Sequence, residues 1–388
     1  MPVELEGGAV RLFVLLWTAL AALSGCVKDS RDMAKAVREP ATHYPRLAFY
    51  GRLATNGAPI LRGGVIVPSA VDSAARFDVV VLDAPVLMLA PKIAAALKDS
   101  NPRMTLLALV NSGLAWNNPR PPMGDSLTEL NACRYRLARE SGAILRSRTG
   151  REWSPNLDLS NHVFAVKLAE LDARALEDVN VDGLFCDWST PTIAWTQTPR
   201  DSIDYRRAGW DSHRDWCRAY VEGHRLYAMT LRRLAGSKLL VGNGGPSGER
   251  DLWNGWMREN FPHQNGGDWY ANMVQTPWGD HGYLADESLY VQPSLCFLSS
   301  IETGDSLADL RTLRLGLASA SLTNGVHVMV KAPLLRDWWP RWFPDYDADF
   351  GAPEGPAEPN GDTWSRRFAK GYVLVDTRTK TGTLEKAR

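Results

Sequence analysis

Residues 77–83 read Phe-Asp-Val-Val-Val-Leu-Asp, and residues 181–187 read Val-Asp-Gly-Leu-Phe-Cys-Asp. Both runs are almost continuously apolar, whereas a strand with one solvated face alternates apolar and polar residues. Continuous runs of this length are typical of parallel strands that are covered on both faces. The two stretches therefore predict a buried parallel sheet.

Similar runs recur along the chain and number eight. They are Leu47–Tyr50, Phe77–Asp83, Met104–Val110, Val181–Asp187, Lys238–Val241, Asn254–Met257, Leu295–Ser299 and Val326–Lys331. Stretches with helical spacing lie between several of them, at Ile93–Leu97, Leu130–Ala138, Val166–Leu176, Trp216–Leu234 and Leu307–Leu322. Alternating strands and helices over about 330 residues predict an α/β fold of one domain, a closed (β/α)8 barrel of the TIM type. An open doubly wound sheet is the alternative, but Tyr50-Gly51-Arg52-Leu53 is not the glycine-rich phosphate turn that would favour it.

The composition excludes several classes of protein. Of the 388 residues, 45% are hydrophobic and 23% charged, which matches a globular protein and excludes disordered, collagen-like and multi-span membrane chains. Lys plus Arg and Asp plus Glu number 44 each, so no net field attracts nucleic acid, and we expect no nucleic-acid partner.

The cysteines and histidines give no metal or cofactor signature. No CxxC pair and no HxxxH spacing occurs, so we expect neither a metal nor a cofactor. Apart from Cys26, we expect the four cysteines to be unpaired, although a Cys133–Cys217 disulfide stays open in an oxidising compartment.

The N-terminal segment indicates export. The apolar stretch Leu12–Leu23 is shorter than the roughly 20 residues needed to span a bilayer, but it suits the core of a signal peptide. Leu23-Ser24-Gly25-Cys26 resembles a bacterial lipobox. The resemblance implies that Cys26 is acylated and that the protein is attached to a membrane through this lipid anchor. The alternative is an ordinary secretory signal in which Cys26 is incidental. We therefore expect an exported, lipid-anchored protein of the periplasm or cell surface. By resemblance to other lipoproteins, Val27 rather than Asp after the cysteine implies the outer membrane, if the host has one.

These observations divide the chain into four parts. We predict a lipoprotein signal peptide at 1–25, a polar tether at 26–44, a barrel at 45–376 and a polar tail at 377–388 that frays.

Catalytic groups of such a barrel lie at the C-terminal ends of its strands, so the polar residues that end the apolar runs are the candidates. They are Asp83, Asn111, Asp187, Asn243, Glu259, Glu302 and Lys331. Hydrolysis of a glycosidic bond needs two carboxyl groups, one that protonates the leaving oxygen and one that attacks or activates water.

Asp187 and Glu259 are the pair that we predict to be catalytic. Asp187 ends a run that is apolar on both faces, although it could instead cap a following helix. Glu259 ends an indole-rich run whose apolar neighbours would raise its pKa, although it could instead form a surface ion pair with Arg258.

Three blocks of the sequence resemble those of hypothetical glycosyl hydrolase family fifteen, a family of glycoside-hydrolase-like (β/α)8 barrels. They are the DGLFCD block at 182–187, the NGWMRENFP block at 254–262 and the ending at 346–375. The resemblance extends from about Tyr44 to Val375. It implies that Asp187 is the nucleophile or transition-state stabiliser and that Glu259 is the acid/base. The family usually shows Asn-Pro after the last strand, where this chain has Asp376-Thr377.

Further residues are predicted to bind substrate, each with a structural alternative such as a cap, a tight bend or packing. They are Tyr50, Asp83, Trp188, Asn243, Trp256 and Glu302. The aromatic cluster at 338–343 is either a sugar platform or packing against the barrel exterior.

The sequence thus predicts a hydrolase that cleaves a polysaccharide or oligosaccharide at the cell surface or in the periplasm. A carbohydrate-binding lipoprotein without turnover is the main alternative, and a purely structural lipoprotein is a third.

Overall fold

The computed structural model describes ten segments of the chain. They are residues 43–51, 60–62, 64–114, 136–139, 141–149, 152–193, 202–243, 249–276, 280–331 and 341–387. The predicted signal peptide at 1–25, the lipidation site Cys26 and nearly all of the tether lie outside them.

Eight parallel strands close into a barrel. They are β1 (Leu47–Gly51), β2 (Val79–Asp83), β3 (Thr105–Asn111), β4 (Gly183–Asp187), β5 (Leu239–Asn243), β6 (Gly255–Phe261), β7 (Phe297–Glu302) and β8 (Val326–Lys331). Each strand pairs with the next in chain order, and β1 also pairs with β8. All eight strands predicted from the apolar runs are therefore confirmed, as is the (β/α)8 fold.

Helices cover the outside of the barrel. They are α1 (Pro68–Ala74), α2 (Ala84–Leu89), α3 (Lys92–Ser100), α4 (His162–Ala173), α5 (His213–Ala235), α6 (Trp269–Met273), α7 (Tyr283–Leu289) and α8 (Ser306–Ser321). The three longest helices are capped at their N-termini by side chains. The caps are Asn161 for α4, Ser212 for α5 and Asp305 for α8. Within the described segments, no helix combines the length and apolarity that crossing a bilayer requires.

One predicted helix is wrong where the structure describes it. Of the stretch Leu130–Ala138, residues 136–138 are described, and they form β-bridges rather than a helical turn. Arg136 pairs with Leu157 and Ala138 with Ile144. Leu137 between them is buried, so tertiary pairing has overridden the helical spacing of this segment.

Side chains of the strands alternate between two cores. Val79 and Val81 point into the barrel, whereas Val80 and Leu82 point outward against the helices. The inner core contains Phe185, Met257, Phe297 and other apolar residues from all eight strands. This period of two fixes which residue at each strand end faces the barrel axis.

A four-stranded antiparallel sheet follows the barrel. It contains β9 (Glu358–Asn360), β10 (Thr363–Phe368), β11 (Gly371–Asp376) and β12 (Thr381–Lys386). β12 pairs with β11 along its whole length and packs against α8. The polar segment after Thr377 thus contains a strand instead of fraying, because its backbone completes a sheet and Leu384 packs on the core.

The free cysteines in the described segments are Cys186, Cys217 and Cys296. Cys186 and Cys296 are buried among apolar side chains. Cys133 lies outside the described residues.

Two buried side chains between α4 and α5 make the stability depend on pH. The Tyr227 hydroxyl donates a hydrogen bond of 2.7 Å to Asp172 Oδ2. Burial raises the pKa of Asp172 to about 8, from an ordinary value near 4. Between these two values the folded chain keeps a proton that the unfolded chain releases, so the free energy of unfolding falls as pH rises.

We predict that Asp172→Asn removes this dependence, because the amide does not titrate and its oxygen still accepts from Tyr227. Urea unfolding at pH 5 and pH 8.5 measures the effect. Wild type and the control Glu222→Gln, at an exposed position of α5, should both lose stability at the higher pH. An equally large loss in Asp172→Asn would contradict the assignment.

Candidate active site

The inward positions at the C-terminal ends of the first six strands are occupied by polar side chains. In each strand the residue two positions earlier lies in the inner core, as Phe185 does for Asp187 and Met257 for Glu259. The inward residues are Tyr50, Asp83, Asn111, Asp187, Asn243 and Glu259. The alternation of the strands therefore brings residues far apart in sequence to one end of the barrel.

Three of these side chains are in direct contact. Asn243 Nδ2 donates one hydrogen bond to Asp187 Oδ1, at 3.0 Å, and a second to Glu259 Oε1, at 2.8 Å. Because both oxygens bind one nitrogen, they lie no more than about 6 Å apart. The two predicted catalytic carboxyl groups thus converge on β5, the strand between their own.

The Asn243 amide offsets a repulsion between the two acids. Two unit charges about 6 Å apart repel by about 3 kcal/mol at an effective dielectric constant near 20. A hydrogen bond to a charged group contributes about 1.5–3 kcal/mol, so the two bonds from Asn243 equal or exceed that cost when both acids are ionised.

The backbone after Asp187 is held in a strained conformation. Trp188 has a φ of 55° in the left-handed region, where a residue other than glycine costs about 1–2 kcal/mol. The Ser112 backbone N–H and hydroxyl both donate to the Asp187 carbonyl, each at 3.0 Å. A Cβ at Gly113 would lie 2.5 Å from the Trp188 carbonyl oxygen, so only glycine fits there. No motif or strand end in the sequence marks Ser112 or Gly113 as part of a site.

Asp187 is only 5% exposed, and its side chain is oriented by several donors. Its Oδ1 accepts from the Trp188 N–H at 3.0 Å as well as from Asn243. The Tyr50 hydroxyl lies 3.5 Å from Oδ2, and the Tyr50 ring packs edge-on against Phe185. No helix follows Asp187 directly, so the alternative of a helix cap does not describe it.

Glu259 is exposed at the barrel rim and is not enclosed by apolar groups as the sequence suggested. Its neighbour Arg258 points the other way and forms a buried ion pair with Asp286, with Nε 3.0 Å from Oδ2. The surface pair of Arg258 with Glu259 is therefore not formed. Asn260, directly after Glu259, has a φ of 58°, so both acids precede a left-handed residue.

The remaining predicted residues divide into two groups. Asp83 is buried at the inward end of β2, and Trp188 is half-buried beside Asp187. Trp256 and Glu302 instead lie on the outer face of the barrel. Trp256 belongs to the outer core, and Glu302 has the same outward parity as Leu298 and Ser300.

Contacts of the outer layer agree with these placements. The charge of Glu302 adds to the effect of burial in raising the pKa of Tyr346, which packs against Phe343 outside the barrel. Trp342 packs edge-on against Phe77, so the described part of the 338–343 cluster contacts the barrel exterior. Trp338 and Trp339 lie outside the described residues. The side chain of Lys331 is not described.

Among the described residues, no group of three or more His, Cys, Asp or Glu side chains is arranged to hold a metal ion.

A model of one protein family matches residues 98–372, more than half of the chain. That family is hypothetical glycosyl hydrolase family 15. The chain belongs to this family. The matched range contains both carboxylates of the candidate site and the strands β3 to β8. No curated protein matches this family member in sequence.

Solved structures of several glycoside hydrolases resemble this family 15 chain in fold. The glycoside hydrolase domain of PelA from Pseudomonas aeruginosa is 15% identical, with 75% of this chain and 95% of that chain covered and a TM-score of 0.41. An α-galactosidase from Thermus thermophilus is 15% identical, with 87% and 66% covered and a TM-score of 0.45. An α-amylase from Geobacillus thermoleovorans is 10% identical, with 85% of each chain covered and a TM-score of 0.46.

We predict that Asn243→Ala lowers the free energy of unfolding by more than Asn101→Ala does. Asn243 donates to two carboxyl groups, and a hydrogen bond to an ionised acceptor contributes about 1.5–3 kcal/mol, against about 0.5–1.5 kcal/mol for an uncharged one. Asn101 is the matched control, since its Nδ2 donates to two uncharged backbone carbonyls, those of Ala75 and Phe77. Chemical denaturation of wild type and of both variants measures the difference. An equal loss of stability in the two variants would contradict the bridging role.

Proposed function

We propose that this protein is an exported glycoside hydrolase that cleaves a polysaccharide with Asp187 and Glu259 as its two catalytic carboxyl groups. The observation that carries the proposal is the single Asn243 amide that binds both acids at the C-terminal end of the barrel. Membership of a glycosyl hydrolase family supports the reaction class.

The spacing of the two acids supports a double displacement with retention of anomeric configuration. Retaining enzymes hold their carboxyl groups about 5–5.5 Å apart, whereas inverting enzymes need about 6.5–9.5 Å to admit a water. Oxygens that share one nitrogen at 3.0 and 2.8 Å fit the shorter distance.

The environments of the two acids support their roles. Asp187 is buried and accepts two hydrogen bonds through Oδ1, which fix the carboxyl group and orient Oδ2. Asp187 is therefore the nucleophile in the proposal. Glu259 is exposed, so it can exchange protons with solvent between the two steps, as an acid/base must.

The proposed reaction has two steps. In the first, an Asp187 oxygen attacks the anomeric carbon and the glycosidic C–O bond breaks, while Glu259 donates its proton to the leaving oxygen. In the second, Glu259 accepts a proton from water, whose oxygen bonds to the anomeric carbon as the ester bond to Asp187 breaks. Glu259 ends protonated and Asp187 ionised, as at the start.

The rim offers groups for the sugar that would occupy the site. The half-buried Trp188 indole can stack on the apolar face of a ring, and Tyr50 can contact a hydroxyl while it stays near Asp187. Asp83 lies on the same rim, two strands from Asp187. Trp256 and Glu302 take no part in the proposal because they face the outer layer.

We predict that Asp187→Asn and Glu259→Gln each lower hydrolysis by at least about 100-fold, because each removes a group that acts on the reacting bond. The assay is release of reducing sugar from a panel of polysaccharides. Glu302→Gln is the matched control: it also changes an acid at a strand end, but one on the outer face, and it should keep wild-type activity.

Two results would contradict the proposal. In one, Asp187→Asn or Glu259→Gln folds normally and retains full activity. In the other, wild type binds glycans on an array but releases no sugar from any, which would favour the carbohydrate-binding lipoprotein without turnover.

The proposed location rests on the lipobox-like tetrad Leu23-Ser24-Gly25-Cys26. An acylated Cys26 would hold the enzyme where polymers too large to enter the cell are found. We predict that cells producing the full chain incorporate radiolabelled palmitate into it and that Cys26→Ser abolishes the label. A labelled Cys26→Ser protein, or an unlabelled wild type, would exclude this anchor.

A further inference from the structure

Three buried polar side chains form a connected series outside the barrel. Ser189 Oγ lies 2.9 Å from His224 Nε2, and His224 Nδ1 lies 2.9 Å from Glu249 Oε2. The exposed fractions of Ser189, His224 and Glu249 are 0%, 1% and 6%. Ser189 follows β4, His224 is on α5 and Glu249 precedes β6, so the series joins three separate elements.

Two tryptophans extend this series toward β5 and β6. The Trp253 ring stacks on His224 with centroids 6.4 Å apart, and its Nε1 donates to Glu249 Oε2 at 3.5 Å. Trp256 packs edge-on against Trp253, with centroids 5.4 Å apart. We call Ser189, His224, Glu249, Trp253 and Trp256 the support cluster.

The support cluster lies directly behind the candidate active site. Ser189 is two residues after Asp187, and its backbone N–H donates to the Asn243 carbonyl at 2.7 Å. The Trp256 ring covers Gly242, where a Cβ would lie 2.1 Å from the indole, so its packing depends on the glycine before Asn243. Trp256 is itself three residues before Glu259. Asp187, Asn243 and Glu259 therefore each lie within three residues of a residue that belongs to the support cluster or packs against it.

The arrangement of serine, histidine and glutamate does not describe a hydrolytic triad of its own. The Ser189 side chain is inaccessible to solvent, and a nucleophile must reach its substrate. Burying three polar groups is costly unless each contact is kept, so the series fixes the relative positions of the elements that it joins.

We propose that Ser189, His224 and Glu249 are positioning residues that hold the strained turn at Trp188 and so keep Asp187 within hydrogen-bond distance of Asn243. This inference rests on the proposed function for its kinetic consequence and on the geometry alone for its structural consequence. Without the Ser189 hydroxyl, the strained turn loses its link to α5, and the Asp187 side chain moves with the backbone that carries it.

The chain offers a close control in another buried pair. Ser300 Oγ lies 3.1 Å from His327 Nε2, and both residues are buried on the outer faces of β7 and β8. Ser300→Ala therefore removes a comparable contact that touches neither Asp187, Asn243 nor Glu259.

The test compares Ser189→Ala, Glu249→Leu and Ser300→Ala by kinetics on a cleaved polysaccharide and by crystal structures. We expect kcat to fall about 10- to 100-fold in the first two, with KM changed by less than about twofold, since a misplaced catalytic group affects turnover rather than binding. In those structures the separation of Asp187 Oδ1 and Asn243 Nδ2, 3.0 Å in wild type, should exceed about 3.5 Å. Ser300→Ala should keep both kcat and the contact.

The inference is overturned if Ser189→Ala and Glu249→Leu keep this contact and lose no more activity than Ser300→Ala. Glu249→Leu, which removes the acceptor and keeps a side chain of similar volume, keeps the test decisive where Ser189→Ala does not fold. A wild-type protein that cleaves no polysaccharide would contradict the proposed function alone, and the measured separation would still decide the positioning role.

Discussion

The amide nitrogen of Asn243 donates hydrogen bonds to two carboxylates that come from different strands, and the site depends on this contact. Asp187 and Glu259 are separated by 71 intervening residues, and whenever both are ionised their charges repel at about 6 Å. The barrel places β5 between β4 and β6, so one inward side chain on β5 can reach both acids. An amide there supplies two donors and no charge of its own.

The surrounding structure keeps that contact in place from two sides. Within the barrel, Ser112 on one side and the backbone of Asn243 on the other hold the turn at Trp188. Behind the barrel, buried polar and aromatic groups pack against the strands that carry the three site residues. The strained conformation of Trp188 is tolerated because these neighbouring groups fix its turn, which is common where a site needs exact orientation.

The sequence predicted the barrel well because continuous apolar runs are typical of strands that are buried on both faces. The ends of these runs supplied seven candidate residues, and the resemblance to the family singled out Asp187 and Glu259 among them. The sequence did not distinguish the inner from the outer face at every strand end. Glu302 was expected to face the site at the rim. Because Phe297 at the start of β7 points into the barrel and side chains alternate along a strand, Glu302, five positions later, points outward.

Other features could not be predicted from the sequence because they depend on tertiary contacts. The bridging role of Asn243 depends on the strand order, which places β5 between the two acids, and not on its own sequence neighbourhood. The turn at Trp188 carries no glycine signal, because its left-handed backbone is held by contacts with Ser112 and Asn243. The strand at Thr381–Lys386 is polar, so its composition resembles a loose tail, although its backbone completes a sheet.

The central claim is that Asp187 and Glu259 act on the same bond, and peptide mass spectrometry of the Glu259→Gln variant tests it most directly. With a 2,4-dinitrophenyl glycoside of the sugar that wild type releases, the first step needs no acid, while the second step lacks its base. The account predicts that a glycosyl ester accumulates on the peptide that contains Asp187. An ester on another acid, or turnover by this variant with inverted configuration and no ester, would contradict it.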